Sequence, residues 1–70
     1  MRYSGHAEDR IAEYQLTKAE VAAIVQNPVR GIYSPMMRDC REHFGYAADG
    51  RPMNVITNAA ATIVITVVPQ

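Results

Sequence analysis

The hydrophobic periods along this chain predict an α+β fold: two N-terminal helices packed on one face of a three- to four-stranded antiparallel sheet. Three observations carry that expectation. Apolar residues recur every three to four positions up to residue 26, and every second position from residue 29 onward. A complete helix-capping box, Thr17-Lys18-Ala19-Glu20, opens the second helical stretch. Residues 51–68, RPMNVITNAAATIVITVV, form the only segment apolar enough to be buried on both faces. Their β-branched side chains suit a pleated, packed surface and penalise a helix.

Each element follows from local chemistry. Residues 1–3 make a lead-in or edge strand, and Ser4 is placed to cap a helix beginning at Gly5 or His6. Glu8 and Asp9 in its first turn complement the helix dipole. Ala7, Ile11 and Tyr14 form its apolar stripe, with His6 and Arg10 together on one edge at i and i+4. The second helix runs from Lys18 to Gln26, stapled by Leu16 and Val21, and buries Val21, Ile24 and Val25. Asn27-Pro28 ends it, because the residue before proline avoids the helical region.

Beyond the helices the spacing predicts a strand over 29–34, weakened by Gly31, and a connection at Pro35-Met36-Met37. A longer strand over 38–47 places Cys40, Glu42, Phe44 and Tyr46 on one face and Asp39, Arg41, His43 and Gly45 on the other. With Phe44 and Tyr46 taken as core, Arg41 and His43 are expected to point away from the helices. Asp49-Gly50 turns the chain into the last two strands. In the second of these, Ile63, Ile65 and Val67 are expected on one face and Thr62, Val64, Thr66 and Val68 on the other.

Seventy residues make a single domain near the lower size limit for an unstapled core, so dimerisation is one way for it to gain buried area. The one cysteine, Cys40, forms no intrachain disulfide, and no His/Cys cluster offers a zinc site, so no cofactor is expected. Cys40 itself reads as a small buried apolar residue. No apolar run approaches the roughly 20 residues of a membrane span, and the N-terminus lacks the apolar core of a signal peptide. A soluble, cytoplasmic protein is the expectation. Seven basic residues balance seven acidic ones, which excludes a global positive field for nucleic acid. Arg30, Arg38, Arg41 and Arg51 all lie beyond the helical stretch, so a local basic patch would belong to the sheet.

The order of short motifs is more specific than any one of them. Ser4, His6-Ala7 and Arg10 are followed by Thr17, Glu20 and Val21, then Asn27-Pro28, then Asp49-Gly50-Arg51-Pro52-Met53 with Val55, and a closing Thr62–Val67 strand. Over nearly the whole chain this resembles the small RelE/BrnT-like toxin domains, and most of all the prokaryotic and phage group marked by an N-terminal HAxxR. The resemblance implies a barnase/RelE-type fold, metal-independent cleavage of RNA, and a cognate antitoxin or other protein as partner.

Under that resemblance His6 is the candidate general acid or base, since metal-free RNA cleavage needs a group titrating near neutrality. Arg10, one turn on, would hold the phosphate. The competing reading pairs Arg10 with Glu13, Glu42 or Asp49 and leaves His6 at a helix end. Arg41 and His43 would supply a second phosphate clamp and proton-transfer group, or form a solvated strand face. Tyr46 would stack on a base, or belong to the core beside Phe44. Arg51 would touch phosphate, or be an exposed hairpin residue. Met36-Met37 would offer an adaptable contact surface, or fill a loop. The alternative function is a non-enzymatic module with the same fold that binds a protein or its own copy.

Overall fold

The computed structural model describes residues 1–34 and 39–70, with 32–34 described through their backbone, so Pro35-Met36-Met37 lies outside the described residues. The elements are β1 (Arg2–Tyr3), α1 (Gly5–Glu13), α2 (Lys18–Gln26), β2 (Arg30–Ser34), β3 (Cys40–Tyr46), β4 (Pro52–Asn58) and β5 (Ile63–Pro69). They form an α+β unit with one five-stranded sheet in the order β1-β5-β4-β3-β2. The expected purely antiparallel sheet of three or four strands is corrected to a mixed one. Strands β2 to β5 form an antiparallel meander, and β1 adds to β5 in parallel, Arg2 opposite Ile63 and Tyr3 opposite Val64.

The helices begin where their capping chemistry places them. The Ala7 amide donates to Ser4 Oγ at 3.0 Å, and the same hydroxyl donates to the Ile65 carbonyl at 2.7 Å. One side chain thereby starts α1 and ties it to β5. In α2 the reciprocal box is complete, with the Glu20 amide on Thr17 Oγ1 at 3.1 Å and the Thr17 amide on Glu20 Oε1 at 2.9 Å. The second Glu20 oxygen accepts from the Ala48 amide at 2.7 Å, fixing the start of α2 to the β3–β4 turn. These backbone donors, that of Ala48 foremost, hold the Glu20 carboxyl below its ordinary range. Thr17→Ala should cost about 1 kcal/mol in urea unfolding, the usual loss for an N-cap hydroxyl.

The core lies between the helices and one sheet face. Ala7, Ile11, Leu16, Val21 and Ile24 meet Ala47, Met53, Val55, Val64 and Val67, all buried. A β-bulge decides which β5 residues take part. Ile56 pairs with Thr66 but Thr57 pairs with Val64, leaving Ile65 as the extra residue. Val64 and Val67, three apart, are both fully enclosed. The strict alternation expected for this strand, with Val64 and Val67 on opposite faces, is therefore corrected.

The facing of β3 is reversed from the expectation. A Cβ added at Gly45 would lie 3.0 Å from Ile24 Cγ2 and 3.1 Å from Ile24 Cγ1, so Gly45 lies directly beneath α2. Its neighbours at even spacing, His43 and Ala47, are buried with it. Phe44 and Tyr46 then point away from the helices, and Tyr46 is 59% exposed. Helix α2 approaches the sheet closely because small residues lie under it, which leaves no room there for two aromatic rings.

Candidate nucleic-acid interface on the open sheet face

The sheet face turned away from the helices is built by alternation. Arg30 on β2 pairs with Phe44 on β3, Phe44 with Asn54 on β4, and Asn54 with Val68 on β5. Residues directly opposite one another in adjacent strands share a face. The middle of this face is closed by its own side chains. Asn54 Nδ2 donates to Glu42 Oε1 at 2.8 Å, and Ile56 and Asn54 are buried among their neighbours. Cys40, on the same face, is half-buried rather than a core residue.

One end of the face is open. A groove of about 320 Å³ is lined by Val29, Arg30, Phe44, Gly45, Tyr46 and Gln70. The Arg30 guanidinium lies 4.6 Å from the centroid of the Phe44 ring, a cation–π contact that anchors the exposed side chain beside the groove. Among the described residues no carboxylate forms an ion pair with Arg30. Gln70 is fixed at the groove by its amide on the Pro52 carbonyl at 3.0 Å and its Nε2 on the Met53 carbonyl at 3.1 Å. Among the described residues no hydrogen bond reaches its Oε1.

The four catalytic candidates are not brought together. His6 is exposed in the first turn of α1, in the helical layer. Arg10 forms an ion pair with Glu13 at 2.9 Å, one of the pairings the sequence offered. His43 is 6% exposed and sits between the helices and the sheet, contrary to the outward position expected for it. Its Nε2 is 2.9 Å from Thr57 Oγ1, and the Thr57 hydroxyl is 2.9 Å from the Asn58 carbonyl. The hydroxyl has one proton and gives it to that carbonyl, so its oxygen accepts from His43 and Nε2 carries the imidazole proton. Burial first, and the Arg41 charge second, push the His43 pKa below its ordinary value near 6.5. This histidine is a satisfied core group out of reach of a polymer. Arg41 is exposed on the strand end beside it, opposite Thr57.

Arg51 is also committed to the fold. It forms an ion pair with Asp49 at 2.7 Å and donates to the Tyr14 carbonyl at 2.6 Å, joining the β3–β4 turn to the C-terminal end of α1. That pairing, through the Arg51 hydrogen bond above all, lowers the Asp49 pKa. Tyr46, the other candidate for substrate contact, is exposed at the groove rather than buried in the core. The sequence offered Arg30 only as part of a basic patch on the sheet and Phe44 only as core, and it did not point to Gln70. The signal that locates them is the run of small residues, Gly45 and Ala47, which assigns their strand neighbours to the opposite face.

A second groove, of about 600 Å³, lies between Met1, Arg2, Val25, Gln26, Ala61 and Thr62, and neither groove is lined by His6 or His43. No helix among the described residues is long and apolar enough to cross a membrane. No family model, curated protein or solved structure matches this chain.

Proposed function

We propose that this chain is a toxin-related domain of the RelE/BrnT kind that binds RNA on its open sheet face. The observation that carries the reading is the exposed Tyr46 beside an Arg30 already stacked on Phe44. Single-stranded RNA offers unstacked bases to aromatic side chains and phosphates to arginine, and this groove presents both in one place. The order of a lead-in strand, two helices on one face and an antiparallel meander supports the RelE-like assignment. Balanced net charge agrees with a contact that is local rather than a broad electrostatic footprint.

Metal-independent cleavage by two histidines does not fit the geometry, because His43 is spent in the core while His6 is exposed in the helical layer. His6 and Arg10 belong to α1, away from the groove, and Arg10 is paired with Glu13, so the role proposed for this face is binding rather than cutting. Purified chain incubated with labelled single-stranded RNA in chelator should retain the RNA. His6→Ala and His43→Gln should retain the RNA as the wild type does, per folded molecule, because neither residue lines the groove. RNA that does not bind overturns the proposal. A second reading, a homodimerising or protein-binding module, is favoured by β2, which has no pairing strand on its outer side among the described residues. A dimer mass at micromolar concentration that RNA does not alter would favour that reading.

A further inference from the structure

The Arg30–Phe44–Tyr46 groove is small, and the chemistry of its lining sets what it can hold. We infer that it is a one-nucleotide subsite for single-stranded RNA: a single unpaired base lies on the Tyr46 ring and its phosphate on the outer edge of Arg30. The inference rests on the RNA-binding reading above and adds to it the form of RNA, the size of the site and the role of each side chain.

Three features argue for this occupant. The volume, about 320 Å³, is at the small end of ligand pockets and suits one nucleotide rather than a helical segment. A duplex keeps its bases stacked on one another, so it offers no ring face to Tyr46; only an unpaired base can use it. The groove chemistry also divides along its length. Val29 is 72% exposed and Tyr46 59% exposed, giving an apolar and aromatic floor for a base. Arg30, held against Phe44, offers N–H donors to a phosphate oxygen at lower entropic cost than a free arginine. Gln70, held through Nε2, presents an acceptor that fits an exocyclic amino group or a ribose hydroxyl. Among the described residues no Asp or Glu side chain lines the groove, and Arg30 is its one cationic side chain.

Fluorescence anisotropy with a ten-nucleotide single-stranded RNA and with its duplex tests the assignment. The single strand should bind and the duplex should bind at least about 10-fold more weakly. Tyr46→Ala should weaken single-strand binding about 5- to 150-fold, the range for loss of one stacked base, while Tyr46→Phe stays within about twofold. Arg30→Gln should weaken binding and reduce the slope of log affinity against log salt by about 0.7, the value for one phosphate contact on a single strand. Tyr46 and Arg30 are exposed, so an unchanged unfolding midpoint in each variant shows that the fold is intact. RNA bound equally by wild type, Tyr46→Ala and Arg30→Gln would overturn the subsite while leaving RNA binding standing elsewhere on the domain. Equal affinity for strand and duplex would also overturn it, and no RNA binding by the wild type would overturn both.

Discussion

Replacing Gly45 by valine should destabilise the domain by about 1–3 kcal/mol, the usual cost of forcing extra carbon into a packed core. The reason is local. A Cβ at this position already lies 3.0 Å from Ile24, and the two methyls of valine would press further into a helix anchored at both ends. The Thr17–Glu20 box and the Glu20–Ala48 bond fix the start of α2, while the Val29 amide on the Phe44 carbonyl, at 2.8 Å, fixes the chain just beyond it. Trimming the opposing side chain should relieve the clash. Ile24→Ala alone should cost about 2–5 kcal/mol as a cavity, and the double variant should be more stable than the sum of the two losses predicts. Gly31→Val is the control, because a Cβ there meets only Pro28 Cγ at 3.9 Å and the Glu42 carbonyl at 4.0 Å. Its unfolding free energy should equal or exceed that of the wild type, because valine suits a strand better than glycine. Equal losses at Gly45 and Gly31 in urea titrations would show that α2 does not press on β3 as described.

The same contact explains why the helices were legible in the sequence while the face of the sheet was not. Helix ends are set by short-range rules, and Ser4, the Thr17–Glu20 pair and Asn27-Pro28 act within four residues of themselves. Strand positions were legible for the same reason, since β-branched density and the Asp49-Gly50 turn are local signals. The face that a strand presents depends on what the opposing layer tolerates. Aromatic residues usually fill cores, so Phe44 and Tyr46 favoured the wrong side of β3. Only Gly45 and Ala47 announce that α2 comes too close for them. The bulge at Ile65 is equally non-local: Ser4, 61 residues away, donates to the bulge carbonyl. The parallel pairing of β1 rests on two residues and carries no pattern of its own. Reversing β3 moves Tyr46 into solvent and His43 into the core, and so exchanges the roles of binding residue and buried residue.

Acidification should destabilise the fold in a window set by His43. Its folded-state pKa lies below the unfolded value near 6.5, because burial and then the Arg41 charge disfavour the imidazolium. Below the unfolded pKa the unfolded chain therefore binds the proton that the native state resists. The stabilising contribution is fully present above about pH 6.5 and is lost as pH falls through the depressed folded value. Glu20 and Asp49, whose pKa values are also lowered, act at more acid pH, below their ordinary values of 4.5 and 3.8. Urea unfolding at closely spaced pH values should show a decline beginning below about pH 6.5. The decline in that upper window should be absent in His43→Leu, which keeps an apolar group of similar size. Thr57→Val tests the other half of the pair at pH 8, where the imidazole is neutral. It removes the oxygen that accepts from His43 Nε2 and the donor to the Asn58 carbonyl, and should cost about 1–3 kcal/mol. A wild type whose stability is flat from pH 8 to pH 5, with Thr57→Val as stable as its parent, would mean that His43 reaches water and would reopen its candidacy as a proton-transfer group.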